Sequence, residues 1–157
     1  ALDRFMSFAK VCGWDVSDDA LAIAQENAYR LLSEVTFEKY DILKEDTFEG
    51  QFDCVVSNPP YVTYSEQTSM EPNVLRFEPH LALFVEDEDP LLFYRAIADF
   101  CLKHLKTTGA CYVEINEHFG TATKQLFVEK GFKKVEVIQD MYGKDRIVKA
   151  KLSEEGL

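Results

Sequence analysis

The chain reads as an α/β protein: a three-layer sandwich around a mostly parallel sheet, with an antiparallel pair at its C-terminal edge. Three observations in its 157 residues carry that expectation. Strand-like and helix-like segments alternate along the chain. Several strand-like runs end on Asp or Asn at the switch into the next element, the end at which open α/β sheets bind ligands. The last two strand-like runs are joined only by the polar turn Asp140 to Asp145, too short for the crossover that parallel strands need.

The elements follow in order. Residues 11–16 form a first strand ending near Asp15. Ser17 then offers a cap, Asp18 and Asp19 supply first-turn acids, and Leu21, Ala24, Ala28 and Leu31 recur at helical spacing, so 18–32 reads as an amphipathic helix. Residues 35–41 are the next strand, with Asp41 at its end. Residues 52–57 are apolar and β-branched or small, and read as an interior parallel strand covered on both faces. Pro59 and Pro60 stop it, because neither has a donor and both fix φ. A long polar loop leads to a helix at 90–106, begun by Pro90 and capped by the solvated acidic run 86–89, with Leu92, Ala96, Phe100 and Leu105 as its core stripe. A strand at 110–116, a helix at 120–130 and strands at 132–140 and 145–152 complete the order, with Gly109 and Gly131 marking helix exits.

The length fits one domain with a substantial core. With 28 acidic against 17 basic side chains, a formal charge of -11, the overall field attracts no phosphate, which argues against direct nucleic-acid binding. No apolar run is long enough to span a membrane and nothing resembles a signal peptide. Cys12, Cys54, Cys101 and Cys111 lack metal-ligand spacing and are expected to be reduced core residues of a cytoplasmic protein. His80, His104 and His118 share no ligand pattern, so structural or solvent-facing roles are expected and no metal is assigned.

Asn58-Pro59-Pro60-Tyr61 is the segment with chemical content. Two consecutive prolines leave their carbonyls without local amide partners and hold them in a stiff, extended arrangement, ready to accept. Asn58 adds a side-chain oxygen and an NH2 donor, the complement of an amide or an amino-substituted base edge. Tyr61 can cover the flat face of the same group. A nitrogen of that kind has a delocalised lone pair and is a poor nucleophile. Two acceptors on its hydrogens fix its orientation and favour positive charge developing as a bond forms. The electrophile must then be activated in advance. A sulfonium methyl donor meets that need without a metal, since its leaving group is a neutral thioether. The plainer reading of Asn-Pro-Pro is a turn that ends a strand.

Two other strand ends suit a nucleoside. Asp15, at a strand-to-helix switch, can accept both hydroxyls of a ribose, or simply cap the following helix. Asp41 can accept from an adenine amino group while Ile42 or Leu43 contacts the ring, or serve as a loop-capping acid.

Together with these segments, Trp14-Asp15-Val16-Ser17, Ala20-Leu21, Asn27-Ala28, Tyr40-Asp41, Glu78-Pro79 with Ala82-Leu83, Tyr94, Val113-Glu114-Ile115, Gly131-Phe132 and Asp140 with Gly143-Lys144-Asp145-Arg146 make a pattern that resembles the HemK/PrmC family of S-adenosylmethionine-dependent protein N5-glutamine methyltransferases. The resemblance runs from about Gly13 to Lys151 and is more specific than Asn-Pro-Pro-Tyr alone, which also resembles the motif of DNA amino methyltransferases. It implies a class I methyltransferase domain with a Rossmann-like sheet, S-adenosylmethionine as cofactor, and as protein partner a peptide-chain release factor, methylated on the glutamine of its Gly-Gly-Gln loop. By the same resemblance Trp14, Asp15, Asp41, Ile42 and Asn58 bind the cofactor, and Asn58 and the Pro59 carbonyl hold the target amide. Pro60 keeps that geometry rigid, Tyr61 contacts the glutamine or shapes its pocket, and Glu78 helps to enclose the site. Tyr94 is a candidate support for the loop.

Residues 1–12 contain no glycine, where the family carries a glycine-rich loop behind the methionine part of the cofactor. The expectation is therefore an N-terminally truncated, partial catalytic domain over residues 1–157, without the family's N-terminal substrate-recognition domain. The competing readings are a DNA adenine-N6 or cytosine-N4 amino methyltransferase acting on a flipped base, which the charge disfavours, and a noncatalytic interaction domain.

Overall fold

Residues 8–44, 48–69 and 79–154 are described by the computed structural model of the chain. The chain divides into two compact units, Ala1–Lys44 and Glu45–Leu157.

In the first unit, β1 (Cys12–Asp15) and β2 (Thr36–Lys39) run parallel, in register from Cys12 opposite Thr36 to Asp15 opposite Lys39. The crossover between them is α1 (Asp18–Arg30), whose first turn is closed by Ser17, its side chain accepting from the Ala20 amide at 3.2 Å. Leu21 is buried and Ala24 and Ala28 are half-buried, as the helical spacing requires. Leu31, expected on the same stripe, is 52% exposed. The helix ends at Arg30, and Leu32 turns the chain with a φ of 52° before β2.

The second unit is built on a four-stranded sheet in the order β3-β6-β8-β7. β3 (Phe52–Ser57) pairs parallel with β6 (Leu105–Glu114), and β8 (Asp145–Lys151) runs antiparallel to both β6 and β7 (Lys134–Gln139), which gives the antiparallel C-terminal edge that the short turn demanded. α3 (Leu92–His104) packs against β6 and against α4 (Gly120–Lys130), which also covers β7 and β8. Tyr94, Ile97, Ala98 and Cys101 of α3 meet a core that includes Cys111, Val113 and Ile115 of the β6 region, Phe127 of α4, and Val148 and Ala150 of β8. Gly131 ends α4 in the left-handed conformation, φ 108°, as a glycine at that position should.

Several expectations need correcting. The long loop after β3 contains β4 (Val62–Thr63), a 3-10 turn (Tyr64–Ser69), a short helix α2 (His80–Leu83) and β5 (Phe84–Val85), which pairs parallel with β4. Segments of two to six residues are too short to carry a periodic signal. The core face of α3 runs through Tyr94, Ile97, Ala98 and Cys101, so that Phe100 is on the buried side but Leu92 is 37% exposed and Ala96 half-buried. No side chain caps its start, and Asp89 of the acidic run instead accepts from Arg95 at 2.6 and 2.8 Å.

Gly109 is not a helix exit. α3 gives way to β6 already at Leu105, and the register with β3 jumps from Leu105 opposite Phe52 to Ala110 opposite Cys54, so β6 bulges around Asp53. A Cβ on Gly109 would lie 2.8 Å from the Asp53 carbonyl oxygen, and only glycine fits there. β3, for its part, is an edge strand among the described residues rather than an interior one. Asp53, Cys54 and Val56 are exposed on it, because β6 is its one hydrogen-bonded neighbour.

That placement also corrects the cysteines: Cys101 and Cys111 are buried, while Cys12 and Cys54 are exposed on β1 and β3. His104 is a buried structural residue, with Nδ1 3.0 Å from the Gly50 carbonyl oxygen and its ring against Phe48 and Phe100. His118 is exposed, 3.9 Å from Glu66, and the His80 side chain lies outside the described residues. Among the described residues, no group of His, Cys, Asp and Glu is arranged to hold a metal, and no helix is long and apolar enough to cross a membrane.

Candidate functional site

Asn58, Pro59, Pro60 and Tyr61 follow directly on Ser57, which is paired with Val113 at the carboxyl end of β6. The prolines end the strand for the covalent reason already given, and the chain leaves the sheet at the end where α/β folds bind ligands. Pro59 is buried and anchors the segment, while Asn58 is exposed. Among the described residues neither the Asn58 side chain nor the Pro59 carbonyl takes part in a hydrogen bond.

Tyr61 is held differently. Its hydroxyl donates to Glu114 Oε1 at 2.9 Å, and its carbonyl accepts from Asn116 Nδ2 at 3.2 Å. Burial, the hydrogen bond to Glu114 and the charge of that carboxylate push the Tyr61 hydroxyl pKa up to about 12, against a smaller opposing pull from Arg146. Tyr61 thus keeps its proton across the neutral range and is no general base. Tyr94 is fully buried beneath this region, and burial also raises its pKa.

Asn116 and Glu66 were not singled out by the sequence. Asn116 Nδ2 donates to Glu66 Oε1 and Oε2 at 3.1 and 2.9 Å, and Glu66 Oε2 accepts from the Thr63 amide and hydroxyl, both at 2.9 Å. The one signal available was a polar Asn directly after the apolar strand end Val113-Glu114-Ile115. Burial pushes the Glu66 carboxyl up, but the bonds from Thr63 and Asn116 and the nearby His118 outweigh it and hold its pKa below the ordinary value.

The sign follows from linkage. A folded-state pKa below the unfolded one stabilises the fold at pH above the unfolded value, about 4.3 for Glu, and that stabilisation is lost as pH falls through the lower folded value. Glu66→Gln is accordingly expected to unfold at lower urea than the parent at pH 7, with the gap closing as the pH approaches 3. A gap that stays constant or widens toward acid would contradict this role for the carboxylate.

In the first unit, parallel pairing sets the ends of β1 and β2 side by side, with the Tyr40 amide donating to the Asp15 carbonyl at 3.1 Å. Asp15 is exposed, its Oδ1 accepting from the Ser17 amide at 2.8 Å, and Oδ2 has no partner among the described residues. Asp15 therefore caps the helix entry with one oxygen and leaves the other for a ligand hydroxyl. Trp14 stacks on Tyr40 with ring centroids 4.6 Å apart. Asp41 accepts from the Leu43 amide at 3.1 Å and lies 3.3 Å from Lys44 Nζ, so the loop-capping use of this acid is the one seen, and Ile42 is half-buried beside it. Glu78 lies outside the described residues. An open groove of about 430 Å³ between α3 and α4, lined by residues such as Arg95 and Gln125, contains no residue of the motif.

Residues 2–76 match the methyltransferase small domain family. The chain is 47% identical over 151 residues to a release factor glutamine methyltransferase of Bacteroides thetaiotaomicron, covering 96% of the chain and 54% of the relative. It is 45% identical over 149 residues to the enzyme of the same name from Flavobacterium psychrophilum, covering 95% and 52%. The chain thus spans about half the length of the curated relatives it matches. Among solved structures, a methyltransferase from Pyrococcus furiosus superposes with a TM-score of 0.69 at 19% identity, over 96% of this chain and 66% of that one. TrmN from Thermus thermophilus superposes with a TM-score of 0.61 at 16% identity, over 96% and 39%. These neighbours show that the fold is the class I, Rossmann-like methyltransferase fold. Its sequence relatives show strong homology to release factor glutamine methyltransferases, the HemK/PrmC family.

Proposed function

We propose that the protein carrying this chain methylates the side-chain amide nitrogen of the glutamine in the Gly-Gly-Gln loop of a peptide-chain release factor, with S-adenosylmethionine as donor. The observation that carries this reading is the pair of acceptors at the end of β3, the Asn58 side chain and the Pro59 carbonyl, neither of them hydrogen-bonded among the described residues, next to a tyrosine held at its hydroxyl and its backbone carbonyl. The relatives' names supply the substrate, and the site's chemistry suits it. A carboxamide NH2 offers two hydrogens in one plane, and two oxygen acceptors hold that plane still.

S-adenosylmethionine, when bound, supplies a methyl group on a positively charged sulfur that leaves as a neutral thioether. Asp15 suits the ribose of such a donor, because Oδ2 has no partner among the described residues and can accept from a hydroxyl. The ring pair Trp14 and Tyr40, together with Ile42, offers apolar surface for a base. Asn58 and Pro59 orient the target amide and take up the positive charge that grows on its nitrogen, and the proton leaves with or after methyl transfer. Tyr61, protonated and bonded to Glu114, acts as a wall. A release factor is a cytoplasmic substrate, which puts the protein in that compartment.

The test is methyl incorporation from labelled S-adenosylmethionine by the whole protein, offered release factor and, separately, duplex and single-stranded DNA. Label is expected in the release factor and not in DNA, and replacing the Gly-Gly-Gln glutamine should abolish it. Label in DNA instead would establish the amino-methyltransferase reading. No label in either, with no heat of S-adenosylmethionine binding by calorimetry, would establish a noncatalytic domain.

A further inference from the structure

We propose that Glu114 is the positioning residue of the Asn-Pro-Pro-Tyr site, acting with Asn116 from the carboxyl end of β6 to clamp Tyr61 at its hydroxyl and its carbonyl and so to set the wall against which the target amide lies. The proposal rests on the reading of the site as one that methylates a planar amide, and it assigns the part of the machinery that makes that site rigid.

The geometry is over-determined. Asn116 Oδ1 accepts from the His118 backbone amide at 3.0 Å, and a backbone amide can only donate. That fixes which end of the Asn116 side chain is NH2, and the neighbours of that end are all acceptors: the Tyr61 carbonyl and both oxygens of Glu66. Glu66 in turn holds the amide and hydroxyl of Thr63. The chain from Tyr61 to Glu66 is thereby closed onto Asn116, two residues past the end of β6.

Glu114 completes the clamp at the hydroxyl end of Tyr61. Cys111, Val113 and Ile115 are fully buried, so alternation along β6 turns Tyr112 and Glu114 to the other face, where Glu114 reaches the Tyr61 hydroxyl. Glu114 is opposite Ile147 of β8, and Arg146 beside it is drawn to Asp140, with Nη2 3.2 Å from Asp140 Oδ2. The Glu114 carboxylate is left to Tyr61. Holding the hydroxyl through Glu114 and the backbone through Asn116 fixes where the ring projects from the strand end, which matters because a wall that shifts would let the amide plane move away from its two acceptors.

Whole protein carrying Tyr61→Phe, Glu114→Ala, Glu114→Gln or the double change Tyr61→Phe/Glu114→Ala separates this role from a general structural one. Each of Tyr61→Phe and Glu114→Ala is expected to lower kcat for release factor about tenfold, the effect of losing one hydrogen bond to a charged group, without changing the KM for S-adenosylmethionine. The double variant should be no worse than either single one, since both remove the same contact. Glu114→Gln keeps an acceptor and should recover most of the loss. Additive losses, or a Gln variant as poor as Ala, would overturn the proposal.

A second readout does not need activity. With tyrosine labelled at the ring Cζ, the NMR signal missing in Tyr61→Phe should titrate near 12 in the parent and closer to the ordinary value, about 10, in Glu114→Gln. An unchanged titration would overturn the clamp whatever the kinetics. A shifted titration in a protein that methylates no amide would leave the clamp standing and overturn the functional reading alone.

Discussion

Replacing Asn58 by alanine is expected to lower the kcat of the whole protein toward release factor by about 10²- to 10³-fold, the effect of removing one preorganised polar contact to a charge that develops in the transition state. The side chain is exposed and has no partner among the described residues, so its removal breaks none of their contacts. The unfolding midpoint should therefore move by no more than about 0.5 kcal/mol equivalent. Loss of turnover with stability intact distinguishes a catalytic acceptor from a strand-ending turn residue. The KM for S-adenosylmethionine should stay close to that of the parent if the amide rather than the cofactor is held here. Undiminished turnover would remove Asn58 from the mechanism, and with it the reason for the two prolines that follow.

Phe127→Ala carries the largest expected loss of stability. Its side chain is fully buried, and its ring meets Phe132 edge-on with centroids 5.0 Å apart, in the helix that covers β7 and β8. Deleting it removes both transfer free energy and packing, about 3–5 kcal/mol for a buried Phe. A chain of this size does not have much more stability than that to lose. Urea unfolding followed by far-UV circular dichroism should show a midpoint shifted strongly downward or no cooperative transition. Val128→Ala, at a side chain 45% exposed on the same helix, is the control and should stay within about 0.5 kcal/mol of the parent. Similar shifts for the two would mean that the inner face of α4 is misassigned.

Much of the local structure was legible in the chain. The strand 52–57, the helix 120–130, the Ser17 cap and the turn from Asp140 each rest on residues that are neighbours in sequence, and each is found at or within a residue or two of its expected limits. Gly143, with a φ of 77°, turns the chain at that last site, and Asp140 accepts from the amides of Tyr142 and Lys144 at 2.8 and 3.1 Å, side-chain bonds that favour this turn before any tertiary contact exists. Residues 106–109 were not legible. Lys106 reads as the end of the helix and Thr107 to Gly109 as its exit, and the segment becomes part of β6 only because β3 lies alongside and the bulge at Asp53 accommodates it. β4 and β5 escaped notice for the same reason, since two residues define a strand only through the strand they pair with.

The sequence by itself determined that the strand 52–57 would stop at Asn58 and the two prolines. Covalent geometry requires it, since proline has no N–H and cannot extend a ladder wherever it is placed. Only the tertiary structure decided what would hold Tyr61. Glu114 and Asn116 lie 53 and 55 residues further along the chain and reach it through the parallel pairing of β3 with β6. Contacts over such separations depend on strand register, a property of the assembled sheet that no window of sequence contains.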